Sequence, residues 1–526
     1  MGDKTVRVRI APSPTGALHL GLARTALYNY LFARRNKGIF ILRIDDTDEN
    51  RNQPEMLKPI LAGLRWLGLN WDEGPLVGGP YEPYFQSQRK EIYQAAVSKL
   101  LEVGAAYKDY ATPEEVSAER EQARREGKTF RYSRRWCAET TADCARFEAQ
   151  GRKPVIRLKM PMEGKIVIND LIRGRVEFDL SLEQDHVIQR QDGSFLYHLT
   201  SAVDDGEMGI THIIRAEEHL SNTPRQIFIL QNLGYSLPEF AHLPYVAEPG
   251  SKNKLSKRKL KEYIKKKDFA ELLARGGKIA RRLNWQLSPE IFNPVVIDFY
   301  QRTGFLPEAL INYLALLGWS YDDRTEFFSL AELTQVFSLD KVVRSPASFD
   351  PQKLIAFQVH YLMELPVEKR TELVLPYLLQ AGVITSPVEL SVKEMVKKIA
   401  QAAGDRIKIA GDILDYKYFF VPDEQLNYDE KAVKRWLADS RQKQILSAVR
   451  ETLAQIDSFE VDRLHTELEL FIKQQGVKGM ELSQILRVAV TGRDYGFGIN
   501  EVLAILGKNR VINRIDRILS KAVLPF

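Results

Sequence analysis

The sequence has little cysteine and no long apolar run, and each shortage excludes a class of protein. Only Cys137 and Cys144 occur among the 526 residues, so a disulfide framework and a four-cysteine zinc site are both excluded. No apolar run approaches the ~18 residues that a membrane-spanning helix needs. The N-terminus MGDKTVRVRI lacks a basic segment followed by an apolar one, which argues against a secretory signal. We therefore expect a cytoplasmic protein with reduced cysteines.

The composition shows no strong excess of one charge. Lys and Arg number 75 and Asp and Glu number 69, which gives a formal net charge of +6. This mild excess permits nucleic-acid binding without requiring it, because affinity for phosphate follows local basic patches. Two such patches run from Lys252 to Lys267 and from Arg120 to Arg135. Charge alone leaves open whether they are solvated helix faces or phosphate-binding surfaces.

The first fifty residues predict a β-α-β unit. Residues 6–10 alternate with a period of two, which is typical of a half-buried strand. After a turn-rich loop, apolar residues recur at helical spacing from Leu20 to Leu31, and Gly38 marks the end of the helix. The apolar stretch 39–44 predicts a strand of a parallel sheet that is covered on both faces.

The rest of the chain changes character twice. Residues 104–151 are charged and helical in pattern and pass into short strands, which indicates an insertion into the sheet. Residues 185–214 resume a strand, a helix and a strand. From about Ser329 onward, strand signals thin out and amphipathic helices predominate. The length suggests about three or four domains, arranged as an α/β front half and an all-helical back half.

Two loops carry residues suited to phosphate chemistry. His19 and Gly21 precede or begin the first predicted helix, where a ring donor and an open backbone suit a nucleotide. A lone histidine is more often a structural residue. Far downstream, Lys254 and Lys257 lie on a polar loop that suits a pyrophosphate or forms a solvated charge run. No G-x-G-x-x-G or G-x-x-x-x-G-K-[ST] motif occurs, which excludes those dinucleotide and P-loop sites.

Together the two loops, 12–21 and 254–258, resemble the "HIGH" and "KMSKS" regions of class I aminoacyl-tRNA synthetases. Further stretches resemble the bacterial glutamyl-tRNA synthetase family in particular. These stretches are 9–16, 43–48, 66–75, 215–219 and 304–310, with weaker similarity continuing into the tail near 477–508.

The resemblance implies an α/β Rossmann-type catalytic domain with an inserted α+β acceptor-binding domain, followed by an all-α anticodon-binding region. The implied boundaries are 1–105 for the first half of the catalytic domain, 106–184 for the inserted acceptor-stem-binding domain, 185–245 for the second half of the catalytic domain, 246–328 for a stem-contact region with the KMSKS-like loop and a basic insertion, and 329–526 for the helical anticodon-binding region.

The same resemblance implies that the chain attaches L-glutamate to tRNA(Glu) through a glutamyl-adenylate, using ATP with Mg²⁺ and acting as a monomer. Since the substrate carboxylate is itself the nucleophile, positioned charge suffices and no Ser-His-Asp arrangement is needed. Additional charging of tRNA(Gln) and a non-catalytic tRNA-binding paralogue are the alternatives. A glutaminyl-tRNA synthetase has a β-barrel anticodon part, and a truncated tRNA-modifying relative lacks a tail, so both fit less well.

The resemblance also implies roles for individual residues. Arg9 is expected to bind the side-chain carboxylate of glutamate and Arg215 its α-carboxylate, because Arg offers a bidentate fork. Arg406 is expected to read the third anticodon base, the alternative being a surface Arg–Asp pair. The catalytic set is His19, Gly21, Lys254 and Lys257, of which His19, Gly21 and Lys257 bind ATP. The other glutamate-binding residues are Ala11, Ser13, Asp45, Tyr197 and Ser201.

The sequence departs from the family's pattern in four places. Asp45 stands where the family usually has Glu, and Ser201 stands where it often has Asn. The shorter Asp45 needs a water or a small shift to reach an ammonium group, or else only caps a turn. The stretch 107–111 contains no cysteine where some relatives bind zinc, so we expect no structural zinc. The long basic stretch after Arg258 is either additional tRNA-contact surface or a surface helix.

Overall fold

The computed structural model describes residues 5–14, 16–47, 55, 57–286, 288 and 292–520, and only the backbone of Lys257. The chain divides into two compact units. The first consists of Met1–Ala270, Ser288–Gln301 and Pro307–Leu354, and the second of Glu271–Leu287, Arg302–Leu306 and Ile355–Phe526. Within these described ranges, no helix combines the length and the apolar character needed to cross a bilayer.

The strands are β1 Arg7–Ile10, β2 Ile39–Leu42, β3 Ala106–Asp109, β4 Cys137–Ala138, β5 Val155–Leu158, β6 Lys165–Asp170, β7 Gly174–Asp179, β8 Val187–Gln189, β9 His212–Ala216, β10 Glu239–Leu243, β11 Val246–Ala247 and β12 Ala347–Ser348. The helices are α1 Leu20–Arg35, α2 Leu57–Trp66, α3 Lys90–Glu102, α4 Pro113–Arg125, α5 Thr141–Ala149, α6 Tyr197–Glu207, α7 Thr223–Leu233, α8 Leu260–Tyr263, α9 Lys267–Arg282, α10 Ile297–Thr303, α11 Pro307–Leu316, α12 Leu330–Val336, α13 Pro351–Glu364, α14 Val367–Gln380, α15 Leu390–Ala403, α16 Glu430–Trp436, α17 Ser440–Gln455, α18 Val461–Gln475, α19 Gly479–Thr491, α20 Ile499–Leu506 and α21 Lys508–Ser520.

Parallel strands form the centre of the first unit. β1 pairs with β2 and β9 pairs with β10, both in parallel. The backbone N–H of Thr211, next to β9, donates to the carbonyl of Arg7 in β1 at 2.9 Å, so the two pairs lie side by side. Helix α1 connects β1 to β2 and buries Leu20, Leu27 and Leu31. The predicted β-α-β unit is present, and the carboxyl ends of β1 and β9 meet at one edge of the sheet.

The inserted segment contains more strand than its pattern indicates. β3 lies inside an antiparallel sheet of order β4-β3-β5-β8, within the stretch whose pattern is helical. The side chain of Asp109 in β3 is fully buried, and it accepts hydrogen bonds from Tyr132 Oη at 2.6 Å and Arg157 Nε at 2.5 Å. A buried carboxylate breaks the apolar alternation by which a strand is recognised in the sequence. Its burial is possible because partners from other parts of the chain, Tyr132 and Arg157, hydrogen-bond to it. β6 and β7 form a separate antiparallel hairpin.

The first unit extends beyond the predicted domain boundary near residue 329. Phe337, just after α12, packs its ring on Tyr28 of α1 with the centroids 4.9 Å apart. β12 pairs in parallel with β11. Ser348 in β12 is the last strand residue of the described chain, and all later described elements are α-helices or 3-10 turns.

Helix α9 carries the later basic residues of the long stretch after Arg258, and its residues from Glu271 onward belong to the second unit. There Arg275 pairs with Asp412 at 2.6 Å, whereas Lys278 and Arg282 both pair with Asp415 at 2.5 Å. Two carboxylates thus pair with three of these cations within the unit. These contacts favour a helix stabilised by its own ion pairs over an open phosphate-binding face.

Candidate active site

A cavity of about 520 Å³ opens at the carboxyl ends of β1 and β9, beside the N-terminal ends of α1 and α6. All of its lining residues belong to the first unit. Helix N-termini and strand carboxyl ends are where α/β folds bind ligands. The cavity brings together ten of the predicted site residues, namely Arg9, Ala11, Ser13, His19, Gly21, Asp45, Tyr197, Ser201, Arg215 and Lys254.

His19 is the N-cap of α1, because its Nδ1 accepts a hydrogen bond from the backbone N–H of Leu22 at 3.1 Å. An accepting Nδ1 places the proton of a neutral imidazole on Nε2, which makes Nε2 a donor. A Cβ added at Gly21 would lie 3.3 Å from His19 Nδ1. Any side chain at residue 21 would therefore crowd the imidazole, and glycine keeps the space beside it open.

Arg9 belongs to a buried charge network behind the cavity. Its Nε and Nη2 donate to the two carboxylate oxygens of Asp205 at 3.0 and 3.1 Å. Arg43 joins the same carboxylate through Nη1 at 2.7 Å and also donates from Nε to Asp45 at 2.8 Å. Asp204 is the next carboxylate, 3.5 Å from Arg43 Nε. Asp205 thus occupies the Nε–Nη2 edge of the Arg9 guanidinium, and the described contacts leave Nη1 for other partners.

Burial and neighbouring charges give these carboxylates different pKa values. Burial raises the pKa of Asp45 to about 6, although the charge of Arg43 opposes the rise. Burial also raises the pKa of Asp204. For Asp205, burial again opposes ionisation, but Arg9 and Arg43 together hold its pKa below the ordinary value. Asp205 is therefore the permanent counter-charge, whereas Asp45 titrates close to neutral pH.

Arg215, at the end of β9, is 5% exposed and lies in a different environment. Its Nε donates to His242 Nε2 at 3.0 Å, Nη1 to Gln226 Oε1 at 2.6 Å and Nη2 to Thr223 Oγ1 at 2.9 Å. No carboxylate among the described residues forms an ion pair with it. Burial lowers the pKa of Arg215 to about 10, so the guanidinium stays charged at neutral pH. A buried cation that has only neutral partners favours an anionic ligand.

Polar side chains complete the wall near Arg215. The hydroxyl of Tyr197 lies 3.4 Å from Nδ1 of His219, and burial lowers the pKa of His219 to about 4. The Oγ of Ser201 accepts a hydrogen bond from Gln226 Nε2 at 3.3 Å. Gln226 therefore connects Ser201 to Arg215. At neutral pH the histidine adds polarity to the wall without adding charge.

Of the predicted cations outside this wall, Lys254 is half-exposed and forms an ion pair with Glu218 at the cavity edge. The side chain of Lys257 lies outside the described residues, and its backbone begins a 3-10 turn over Lys257–Lys259. Arg406 belongs to the second unit, where it is exposed at the end of the turn Gly404–Arg406. The structure therefore brings Lys254 to the cavity and leaves the roles of Lys257 and Arg406 as predictions.

Both cysteines are free. Burial raises the pKa of the Cys137 thiol to about 11, so it is protonated at neutral pH. Within the described ranges, no group of three or more His, Cys, Asp or Glu side chains is arranged to hold a metal ion.

Several residues that shape the site received no role from the sequence. Asp204 and Asp205 stand side by side at the end of the buried stretch Leu199–Asp205 of α6, and paired acids that follow apolar residues are a detectable signal. His242 and Gln226 carry no such signal. They contact Arg215 across 27 and 11 residues respectively, and only the fold brings them to it.

Comparison with known families agrees with this fold. A model described as the catalytic domain of class I tRNA synthetases (E and Q) matches residues 5–274 and 291–356. A second model, described as an anticodon binding domain, matches residues 369–519. The chain belongs to the family of class I tRNA synthetases, in the branch labelled E and Q.

Within the E and Q branch, the similar curated proteins are glutamate–tRNA ligases. A protein named glutamate–tRNA ligase from Moorella thermoacetica is 40% identical over 512 residues, which cover 97% of this chain and 97% of the relative. A glutamate–tRNA ligase from Desulforudis audaxviator is 39% identical over 516 residues, which cover 98% of this chain and 96% of the relative. The resemblance to the bacterial glutamyl-tRNA synthetase family, drawn from the sequence motifs, is confirmed.

A solved structure is similar over its full length. The crystal structure of a glutamate tRNA ligase from Elizabethkingia meningosepticum in complex with its amino acid has a TM-score of 0.82 and 32% sequence identity to this chain. The match covers 98% of this chain and 99% of that one. A class I catalytic domain joined to an anticodon-binding domain is thus confirmed as the architecture.

Proposed function

We propose that this chain attaches L-glutamate to tRNA(Glu) in two steps. In the first step, a carboxylate oxygen of glutamate attacks the α-phosphorus of ATP, the bond to the β-phosphate oxygen breaks, and glutamyl-adenylate and pyrophosphate form. In the second step, a hydroxyl at the tRNA 3′ end attacks the acyl carbon and gives up its proton, and AMP leaves. The names of the full-length relatives support this reaction.

The observation that carries the proposal is the state of Arg215. A buried guanidinium beside a cavity, with neutral acceptors on three of its nitrogens, attracts a carboxylate. We assign it the α-carboxylate of glutamate and assign Arg9 the side-chain carboxylate. Arg9 binds that carboxylate through Nη1, on the edge of the guanidinium that Asp205 does not contact. Asp45 receives the ammonium group, because it is the carboxylate of the network that lines the cavity.

The nucleotide half of the site follows from α1 and the downstream loop. His19 Nε2 and the open backbone at Gly21 face ATP phosphates, and Lys254 and Lys257 stabilise the charge that develops on the leaving pyrophosphate. Mg²⁺ is assigned to the phosphates of ATP as part of that substrate, since Mg²⁺ binds phosphate oxygens and keeps several waters. Lys254 must exchange its partner Glu218 for phosphate when ATP binds.

The remaining regions are assigned to tRNA. We propose that residues 106–184 bind the acceptor stem as an inserted α+β domain, that 246–328 contact the stem, and that the helical region binds the anticodon. The absence of strands from the described residues after Ser348 supports a glutamyl rather than a glutaminyl enzyme. The anticodon-domain match to 369–519 argues against the truncated relative. We further propose that the enzyme acts as a monomer.

The test of this function is transfer of radiolabelled glutamate to purified tRNA(Glu) and tRNA(Gln), measured side by side with ATP present and absent. We expect ATP-dependent charging of tRNA(Glu) and a far lower kcat/KM for tRNA(Gln). Equal charging of both tRNAs would establish the non-discriminating alternative. Binding of tRNA without any charging would establish the non-catalytic paralogue instead.

The pKa of Asp45 predicts how glutamate affinity depends on pH. A carboxylate with a pKa of about 6 is mostly ionised at pH 7 and mostly protonated at pH 5, so its attraction for an ammonium group falls as pH falls. We expect the KM for glutamate to rise about tenfold from pH 7 to pH 5. Asp45→Asn should raise KM at both pH values and abolish the slope. A slope that persists in this variant assigns the titration to another group.

Lys257→Ala tests the loop. Loss of a cation that acts on developing phosphate charge should lower kcat by about a hundredfold or more. The melting temperature should stay within about 2 °C, because a loop lysine contributes little packing. Lys58→Ala, at an exposed lysine of α2, is the matched control and should change kcat less than about twofold. A folded Lys257→Ala enzyme with normal kcat would exclude the assigned role.

Arg406→Gln tests anticodon reading. Arg406 is exposed, and no ion pair neutralises it among the described residues, so it is available to a base edge. Loss of a charge-assisted hydrogen bond should reduce the kcat/KM preference for tRNA(Glu) over tRNA(Gln) by roughly tenfold. The KM for glutamate should not change. Arg463→Gln, at an α18 arginine paired with Glu467, is the control. An unchanged preference would remove Arg406 from the anticodon site.

A further inference from the structure

A chain of three buried groups leads away from the cavity behind Arg215. Arg215 Nε donates to His242 Nε2 at 3.0 Å, and the other ring nitrogen, Nδ1, lies 2.6 Å from Oδ2 of Asp170. Asp170 ends β6, and His242 lies in β10. His242 is fully buried and Asp170 is 3% exposed. Neither residue lines the cavity, so any effect on a ligand acts through Arg215.

The contacts define which ring nitrogen of His242 carries a proton. Arg215 only donates, so Nε2 of His242 must present its lone pair. Nδ1 therefore carries the proton and donates it to Asp170. Burial and the charge of Arg215 both lower the pKa of His242, which keeps the ring neutral. The backbone N–H groups of Ile172 and Arg173 donate to Asp170 Oδ1 at 3.0 and 2.8 Å, which orients the carboxylate.

This arrangement orients Arg215 without neutralising it. Asp170 accepts a hydrogen bond from Nδ1–H of His242, and Nε2 of the same ring accepts one from Arg215. The negative charge of Asp170 therefore stays one imidazole ring away from the guanidinium. A carboxylate in the place of His242 would orient Arg215 equally well, but it would cancel the charge that attracts an anionic ligand. Gln226 and Thr223 complete a set of neutral acceptors. Arg215 carries five N–H groups, so two remain beyond these three contacts, and they lie near Tyr197 in the cavity wall.

We propose that Asp170 and His242 are positioning residues that set the affinity for glutamate by holding Arg215 in its binding orientation. The proposal rests on the proposed function, because it takes the ligand of Arg215 to be the amino-acid substrate. The affinity for glutamate then depends on the tautomer of His242, which lies outside the cavity, and Asp170 at the end of β6 selects that tautomer.

Asp170→Asn tests the tautomer directly. Asn retains an oxygen for the backbone N–H groups of Ile172, Arg173 and His242 but presents an NH₂ to the imidazole of His242. The ring must then accept at Nδ1 and carry its proton on Nε2, where it opposes the N–H of Arg215. In aminoacylation assays at saturating tRNA, we expect the KM for glutamate to rise about tenfold or more and the KM for ATP to change less than about twofold.

A second substitution distinguishes this mechanism from damage to the fold. His242→Gln with Asp170 retained keeps the same pattern of hydrogen bonds, because the amide oxygen of Gln can accept from Arg215 while its NH₂ donates to Asp170; this variant should keep most of the glutamate affinity. Asp109→Asn is the matched control, since Asp109 is equally buried but contacts Tyr132 and Arg157. It should lower stability without raising the KM for glutamate.

The outcomes separate cleanly. Equal rises in both KM values, a rise no larger than that of Asp109→Asn, or a loss of glutamate affinity in His242→Gln as large as that in Asp170→Asn would overturn the proposal. Should Asp170→Asn fail to fold, ¹⁵N NMR of the wild-type ring decides the matter, with the signal assigned through His242→Gln. A proton on Nδ1 supports the proposal and a proton on Nε2 overturns it. Wild-type enzyme that does not charge tRNA with glutamate would instead contradict the proposed function, before any variant is compared.

Discussion

Replacing Arg215 by methionine will lower kcat/KM for glutamate about a thousandfold, while the KM for ATP will change little. Methionine fills a similar volume but removes the charge that has only neutral acceptors around it. Truncating one partner of a buried, hydrogen-bonded charge pair costs roughly 2–5 kcal/mol, and ~4 kcal/mol corresponds to about a thousandfold. The measurement is steady-state aminoacylation of tRNA with glutamate and ATP varied separately.

Arg215→Lys is the matched variant, because it keeps the charge and loses the planar fork. We expect it to fall between wild type and Arg215→Met. If both variants lose the same activity, geometry matters more than charge at this position. If Arg215→Met raises the KM values for glutamate and ATP equally, the substitution has damaged the sheet, and the assignment of Arg215 to the amino-acid carboxylate fails.

Replacing Arg43 by methionine will lower the free energy of unfolding by about 3–5 kcal/mol, the cost of breaking a buried ion pair. Arg43 is fully buried and contacts Asp45 and Asp205 directly, with Asp204 3.5 Å away. Its loss leaves these carboxylates with too little positive charge. Urea unfolding followed by tryptophan fluorescence measures the effect.

The pH dependence and a surface control sharpen this prediction. Without Arg43, the folded-state pKa values of the acids lie above their unfolded values, so protonation stabilises the variant as pH falls. Its deficit should therefore shrink between pH 8 and pH 5. Arg34→Met removes a partly exposed pair with Asp72 and should cost less than ~1 kcal/mol. A similar loss of unfolding free energy in both variants would show that burial does not determine how much the Arg43 ion pairs contribute to stability.

Local patterns predicted much of the fold. The alternation in β1 and the helical spacing of α1 are set by neighbours within a few residues, and the structure has both. The helix ends before Gly38 as expected, but the left-handed residue there is Lys37 with φ 50°, and Gly38 is required because a Cβ would lie 2.3 Å from the carbonyl oxygen of Val6. The amphipathic helices of the back half follow the same rule. The sequence pattern did not predict β3, because the strand contains the buried Asp109, whose hydrogen-bond partners come from other segments. The loop residues of the site were identified by motif, and they converge because the motifs end parallel strands or begin helices.

The sequence by itself determined the β-α-β unit, the helical back half, the two motif loops and ten of the residues that line the cavity. Only the tertiary structure decided which charges are neutralised. Arg9 and Arg215 both stand in parallel strands and carry the same charge, yet Arg9 pairs with Asp205 from 196 residues away, whereas Arg215 donates to the neutral His242. The physical reason is that ion pairing and burial depend on distance through space, and separation along the chain does not encode that distance.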